Sequence, residues 1–125
     1  MKLSLAPSEG LIMKCLWESR QDLTVYELTE RLREQYGKEY ANNTVATFLT
    51  ILMKKGFVSR YKKHHPHQYH PEITMEDYME AQLEDLKDEW YDGSAFGMMA
   101  SLVRTSDISE NELKKLKEML DEYSD

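Results

Sequence analysis

Four histidines lie close together in the middle of the chain, and imidazole is a common ligand of Zn²⁺ and Cu²⁺. They are His64, His65, His67 and His70. Successive side chains of a strand point to opposite faces, so a β-hairpin would separate some of these rings, and Pro66 constrains the segment between them. We therefore interpret the cluster as a polar segment that gains positive charge when its imidazoles protonate, and we expect no metal and no cofactor.

A second group of residues suited to chemistry consists of short polar side chains on one side of a predicted helix. An Asn amide can pair with adenine, a Thr methyl can contact the thymine methyl, and Lys neutralises phosphate. The group comprises Asn43, Thr44, Ala46, Thr47, Thr50, Lys54 and Lys55. The opposite side of the same helix is apolar, with Val45, Phe48, Leu49, Leu52 and Met53. This spacing predicts a helix with one face in a core and one face available to DNA.

Other reactive side chains have simpler interpretations. Cys15 is the only cysteine and lies in an apolar stretch, which predicts a buried thiol and excludes an intrachain disulfide. The acidic run Glu84, Asp85, Asp88 and Glu89 fits the solvated face of a helix. No catalytic triad, phosphate-binding loop or zinc-hydrolase motif occurs, so we do not expect an enzyme.

The elements around the polar helix predict how it is held. A first helix spans residues 8–18, and a second begins with the capping box of Thr24 and Glu27 and ends at Gly37. Asn42 and Asn43 are expected to cap the third helix, which ends at Gly56. Residues 57–61 and 68–70 are strand-like and form a hairpin, called the wing below, to which Arg60, Lys62, Lys63 and His65 give basic character. Three helices followed by such a hairpin are typical of a winged helix-turn-helix.

The rest of the chain predicts three short amphipathic helices, the last of them capped at its start by Ser109, and these helices are too small to form a core alone. We expect their apolar stripes to meet those of a second copy, in a homodimer. The predicted dimerisation residues are Met79, Leu83, Leu86, Trp90, Met98, Met99, Leu102, Leu113, Leu116 and Leu120. The predicted fold is therefore mainly α with a small β-hairpin: a winged-helix DNA-binding domain over residues 1–72 and a helical dimerisation domain over residues 73–125.

Charge is divided along the chain in the same way. The formal net charge of −7 combines +3 for residues 1–72, with 11 Lys/Arg and 8 Asp/Glu, and −10 for residues 73–125. A basic first part tolerates a polyanion such as double-stranded DNA, and an acidic second part repels it. The apolar runs are too short to insert into a membrane and no signal-peptide core is present, which predicts a cytoplasmic protein.

Several blocks of the sequence together resemble the penicillinase repressor family of the BlaI/MecI/CopY type. The first helix contains Ser8-Glu9-x-x-Ile12-Met13-Lys14-x-Leu16-Trp17, and the third contains Thr44-Val45-x-Thr47-x-Leu49-x-x-Leu52-x-Lys54-Lys55-Gly56. Thr24-x-x-Glu27-Leu28, Tyr69-x-Pro71 and Trp90-Tyr91-Asp92-Gly93-Ser94 are similar to further motifs of that family.

The resemblance implies a homodimeric transcriptional repressor that binds a palindromic DNA operator. It also implies control by a membrane-bound sensor protease, with cleavage in the dimerisation domain. Here the corresponding bond joins Ser101 and Leu102, where the family has Asn-Phe. The residues leave two alternatives open: a winged-helix module that binds another protein, and a repressor that responds to metal through its histidine-rich wing.

Overall fold

The structure is a computed structural model that describes residues 3–61 and 65–124. In that part of the chain, six helices and three short strands follow one another. Their order is α1 (Pro7–Glu18), β1 (Leu23–Thr24), α2 (Val25–Tyr36), α3 (Asn42–Lys54), β2 (Val58–Arg60), β3 (Gln68–Pro71), α4 (Met75–Trp90), α5 (Ala95–Thr105) and α6 (Glu110–Tyr123). The predicted class, mainly α with a small β-hairpin, is confirmed.

Local signals in the sequence explain where most helices begin and end. At the start of α2, the hydroxyl of Thr24 accepts from the amide of Glu27, and the Glu27 carboxylate accepts from the amide of Thr24. Gly37 ends this helix in the left-handed conformation, with φ of 65°, which costs glycine little. Ser109 caps α6 by accepting from the amide of Glu112. These predicted ends of α2 and the predicted start of α6 are confirmed.

The expected cap of α3 is wrong. The helix begins one residue earlier, with Ala41 as the N-cap in an extended conformation and no side-chain capping bond. Asn42 and Asn43 are the first two helical residues instead. Because alanine has no acceptor, the helix start leaves its first backbone N–H groups without a side-chain partner from the cap.

The three strands form one antiparallel sheet in the order β1-β3-β2. Tyr69 in β3 is opposite Leu23 on one side and Arg60 on the other. The sequence did not predict β1, because a two-residue strand has no alternating pattern of its own and exists only through its pairing with β3.

The buried core gathers α1, α2, α3 and the sheet. It contains Ile12, Met13, Cys15, Leu16, Leu23, Leu28, Leu32, Val45, Leu49, Leu52, Phe57, Val58 and Tyr69. The start of α4 packs on the same core: the Tyr78 ring lies 5.9 Å from that of Trp17 and 6.0 Å from that of Phe57. The indole nitrogen of Trp17 also donates to the carbonyl of Ile73, at 2.8 Å.

Contacts divide the chain into two compact units, with the division between Gln82 and Leu83. In the second unit, none of the described side chains is buried. The sequence also predicts a functional boundary, with DNA binding before and including residue 72 and dimerisation after it. This boundary stays a prediction. None of the helices within residues 3–61 and 65–124 is long and apolar enough to cross a membrane.

Candidate nucleic-acid interface

The outward face of α3 carries the polar residues singled out from the sequence. Asn43, Thr47 and Thr50 are exposed, whereas Thr44 and Ala46 are partly buried. The hydroxyl of Thr47 donates to the carbonyl of Asn43 at 3.0 Å, and that of Thr50 donates to the carbonyl of Ala46 at 3.1 Å. Each hydroxyl proton is thus used within the helix. What Thr47 and Thr50 offer outward is a methyl group and an acceptor oxygen.

A concave surface joins the start of α3 to the wing. Its volume is about 270 Å³, and its lining residues are Val25, Tyr26, Asn42, Asn43, Ala46, His65, Pro66, His67 and Tyr69. The first turn of α3 and the histidine-containing segment of the wing therefore face the same depression.

Tyr26 is a lining residue that the sequence analysis missed. Its side chain is 60% exposed in the first turn of α2. The available signal was an aromatic residue two positions after the helix cap Thr24, where a polar side chain would serve equally well. The phenol combines an apolar ring with a hydroxyl that can donate to a phosphate oxygen.

The described histidines of the wing, His65, His67 and His70, do not converge. The rings of His65 and His67 lie 5.0 Å apart, and Nδ1 of His67 is 3.2 Å from the carbonyl oxygen of Tyr61. Nδ1 of His70 instead lies 2.9 Å from the carboxylate of Asp22. In the part of the chain that the structure describes, no three His, Cys, Asp or Glu residues are placed to hold a metal ion. His64, Lys62 and Lys63 lie outside the described residues.

Asp22 also influences a second residue at the base of the wing. Its negative charge, and the hydrogen bond that it accepts from the phenol, raise the pKa of Tyr61. Asp22 thus contacts two side chains of the wing: His70 in β3 and Tyr61 just after β2. The wing is anchored to the loop before β1 by these two contacts.

Two adjacent lysines at the end of α3 have different surroundings. Lys54 is exposed, as a phosphate contact requires. Lys55 was predicted to contact DNA too, but its ammonium lies 2.7 Å from Oε1 of Glu9 and 3.2 Å from the carbonyl of Ser4. Since its charge is already engaged by a carboxylate that is 7% exposed, we leave Lys55 out of the proposed DNA contacts. Arg60 and His65 are exposed.

Cys15 is buried, as predicted. Burial and the negative charge of Glu18 raise the pKa of its thiol to about 11, although the positive charge of Arg31 opposes the shift. At neutral pH the sulfur is therefore an unreactive thiol rather than a thiolate.

The helices of the second unit expose their apolar stripes. Among the predicted dimerisation residues only Met98 is even partly buried, and Leu102 and Leu120 are more than half exposed. Between α5 and α6 runs a groove of about 350 Å³ lined mainly by apolar side chains, with Ile108 and Met119 as members that the sequence analysis missed. Ser101 and Leu102, the residues of the implied cleavage bond, lie inside α5.

Three helices, a small antiparallel sheet and a polar third helix define a winged-helix protein. Solved structures of RosR from H. salinarum share this fold: one aligns with a TM-score of 0.54 and 14% identity, over 99% of this chain and 97% of RosR. The structure of the hsRosR-S4 complex aligns with a TM-score of 0.54 and 16% identity, over 96% of this chain and 90% of that chain.

The family is shown by the sequence. The family model "Penicillinase repressor" matches residues 5–122, and the chain belongs to this family. Its relatives include the penicillinase repressor of Bacillus licheniformis, 24% identical over 95% of this chain and 91% of the relative. The methicillin resistance regulatory protein MecI of Staphylococcus aureus (strain N315) is 23% identical over 93% of this chain and 92% of MecI.

Family and fold together make the chain a DNA-binding transcriptional repressor and not an enzyme.

Proposed function

We propose that the chain acts as a cytoplasmic homodimer that binds a palindromic operator through α3 and the wing. The observation that carries the proposal is the exposed face of α3, where small polar side chains stand opposite the buried Val45, Leu49 and Leu52. A helix that enters the major groove needs such a face, because its backbone must come close to the base edges.

Each residue then has a role that follows from its chemistry. Asn43, Thr44 and Thr47 contact base edges, and Ala46 and Thr50 allow a close approach. Lys54, Arg60 and His65 contact phosphates. The sequence predicts the same role for Lys62 and Lys63. We add the Tyr26 hydroxyl as a phosphate contact, because Tyr26 lines the same depression as Asn43 and His65.

The exposed apolar stripes support the homodimer. Leu83, Leu86 and Trp90 follow one another at intervals of three and four residues along α4, and all three are exposed. A soluble domain rarely leaves such a continuous stripe in water, and a second copy would cover it. The two-fold axis of such a dimer would place its two copies of α3 at the two half-sites of an inverted repeat, about one turn of the DNA helix apart.

Selection of DNA by the full chain tests the proposal. Duplexes that the chain retains from a random pool are sequenced after several rounds. We expect an inverted repeat, and we expect the Thr47→Ala variant to enrich a less defined sequence. Thr29→Ala is the control, because Thr29 lies in α2 and its hydroxyl donates to the carbonyl of Val25. No enrichment by the wild-type chain would contradict operator binding and favour a module that binds protein. Enrichment of a site without an inverted repeat would contradict the palindromic operator.

We further propose that a sensor protease in the membrane regulates the dimer indirectly, through cleavage between Ser101 and Leu102. Both residues are inside α5, so the helix must open locally before a protease can bind an extended segment there. Cleavage would separate Leu102 and the whole of α6 from the rest of the chain. A chain that ends at Ser101 should therefore sediment as a monomer, whereas a dimer of that shortened chain would contradict this mode of release.

A further inference from the structure

The first turn of α1 contacts α3 and the segment before it at two separate places. One contact joins Glu9 to Lys55, just after the end of α3. The other joins Ser8 to Tyr40, just before the start of α3. Together they connect the start of α1 to both ends of the helix that faces DNA.

Glu9 and Lys55 form an ion pair in which the Glu9 side chain is 7% exposed and the Lys55 side chain is 36% exposed. Oε1 of Glu9 lies 2.7 Å from Nζ of Lys55 and also accepts from the amide of Ala6, at 2.9 Å. The Lys55 ammonium donates in addition to the carbonyl of Ser4, at 3.2 Å. Removing Lys55 would leave the Glu9 carboxylate without its cation in surroundings that exclude most water, so the pair restricts the positions of both chain segments.

The contact of Ser8 with Tyr40 reaches α3 through an aromatic ring. The two hydroxyl oxygens lie 2.8 Å apart. The Tyr40 ring packs edge-on against Phe48 of α3, with the centroids 5.5 Å apart. The two contacts start from neighbouring residues of α1, and they end on opposite sides of α3 in sequence, at Tyr40 and Lys55.

We propose that Glu9 and Lys55 are positioning residues for DNA recognition: the ion pair holds the end of α3 against α1, and Lys55 acts through Glu9 rather than through phosphate. The proposal rests on the proposed operator binding. Base contacts tolerate displacements of only about 0.5 Å, whereas phosphate contacts made by a flexible lysine such as Lys54 tolerate more. Loss of the pair should therefore reduce discrimination between sequences more than it reduces attraction to DNA.

The test compares affinities for two duplexes of equal length, one selected by the wild-type chain and one with the same bases scrambled. Glu9→Gln and Lys55→Met should each weaken binding to the selected duplex by roughly 3- to 25-fold, the range of mutations that act without touching the ligand. Binding to the scrambled duplex should change less than twofold, and the dependence of affinity on salt should be unchanged. The double variant should be no weaker than either single variant, because both remove the same pair.

Lys54→Met is the matched control. It removes an exposed neighbouring charge, so it should weaken both duplexes alike and lower the slope of log affinity against log salt by about one. Lys55→Arg keeps a cation that can reach Glu9 and should restore discrimination. Glu9→Asp, which shortens the carboxylate by one methylene group, serves as a second variant should Glu9→Gln not fold, and it should lose discrimination as well.

Three results would overturn the proposal. If Lys55→Met lowered the slope of log affinity against log salt as much as Lys54→Met does, Lys55 would be a phosphate contact. An unchanged ratio of the two affinities in the folded variants would make the pair merely structural. Additive losses in the double variant would show that Lys55 does not act through Glu9. Failure of the wild-type chain to select any sequence would instead contradict the proposed function itself.

Discussion

The carboxylate of Glu9 is the most strongly constrained charge at the start of α1. Burial opposes its ionisation, but the hydrogen bonds from Lys55 and from the amide of Ala6, together with the positive charge of Lys55, outweigh that effect and lower its pKa. A lowered folded pKa means that the native state binds protons there less readily than the unfolded chain. The stabilisation is therefore complete above the unfolded pKa, about 4.3 for glutamate, and is lost as the pH falls through the folded value.

Glu9→Gln should consequently lower stability at neutral pH and make little difference in acid. We expect a loss of about 1.5–3 kcal/mol in the free energy of unfolding at pH 7, the range for a hydrogen bond to a charged group. The difference from the wild-type chain should shrink as the pH falls below about 4.3, because the unfolded chain then takes up a proton that the native carboxylate binds less readily. Urea unfolding of both chains at pH 7 and pH 3 measures it, and a difference that stays constant would contradict the assignment.

Thr47 presents its methyl group outward because its hydroxyl proton is bonded to the carbonyl of Asn43. If that methyl contacts a thymine, Thr47→Val should enrich the same DNA sequence as the wild-type chain, and Thr47→Ser should lose the preference at one base pair. The loss should be about 0.8 kcal/mol of discrimination, the value for burial of one methyl-sized group, measured as the ratio of affinities for two duplexes that differ there. If Thr47→Ser kept the preference and Thr47→Val lost it, the hydroxyl rather than the methyl group would contact the base.

The start of α2 shows how one residue serves two elements. Thr24 is the last residue of β1, paired with Gln68 of β3, and it is also the N-cap of α2. The same side-chain oxygen that caps the helix thus stands at the junction of helix and sheet.

Thr24→Ala should lower the free energy of unfolding by about 1 kcal/mol, because the amide of Glu27 loses its acceptor. Thr29→Ala in the same helix should change it far less, since the Thr29 hydroxyl bonds only to a carbonyl that the helix already satisfies. Thermal unfolding followed by circular dichroism compares the two variants. Equal losses would mean that the cap contributes nothing specific.

The elements differ in how far the sequence could predict them. The capping box at Thr24 and the N-cap at Ser109 are local, so the starts of α2 and α6 followed from the residue types alone. The start of α3 did not, because Asn42 and Asn43 are both good caps and the chain uses the residue before them. Strand β1 and the role of Lys55 depend on partners that are each 46 residues away in sequence, Leu23 with Tyr69 and Lys55 with Glu9, and no local pattern contains that information.

At the scale of the whole molecule, the second unit exposes the apolar side chains that a core would bury. Leu113, Leu116 and Leu120 lie along one face of α6, and each is at least 39% exposed. The amphipathic pattern predicted these residues individually, but it could not indicate the groove with α5, which depends on the packing of two helices.

Leu116→Lys should disrupt the proposed dimer, because it places a charge in the middle of the surface that a second copy would cover. Glu118→Lys is the control, since residue 118 lies on the opposite side of α6 and receives the same side chain. Sedimentation equilibrium should give twice the 14.8 kDa of one chain for the wild type and for Glu118→Lys, and one chain mass for Leu116→Lys. A wild-type monomer at micromolar concentration would contradict the homodimer.

The central claim is that the exposed face of α3 and the wing bind DNA through phosphates and base edges together. The most direct measurement is a salt titration of the full chain on a duplex that it has selected, beside the same titration of Lys54→Ala. We expect a steep loss of affinity with salt for the wild type and a slope lower by about one for Lys54→Ala. An affinity that hardly changes with salt, or a slope that Lys54→Ala leaves unaltered, would contradict it.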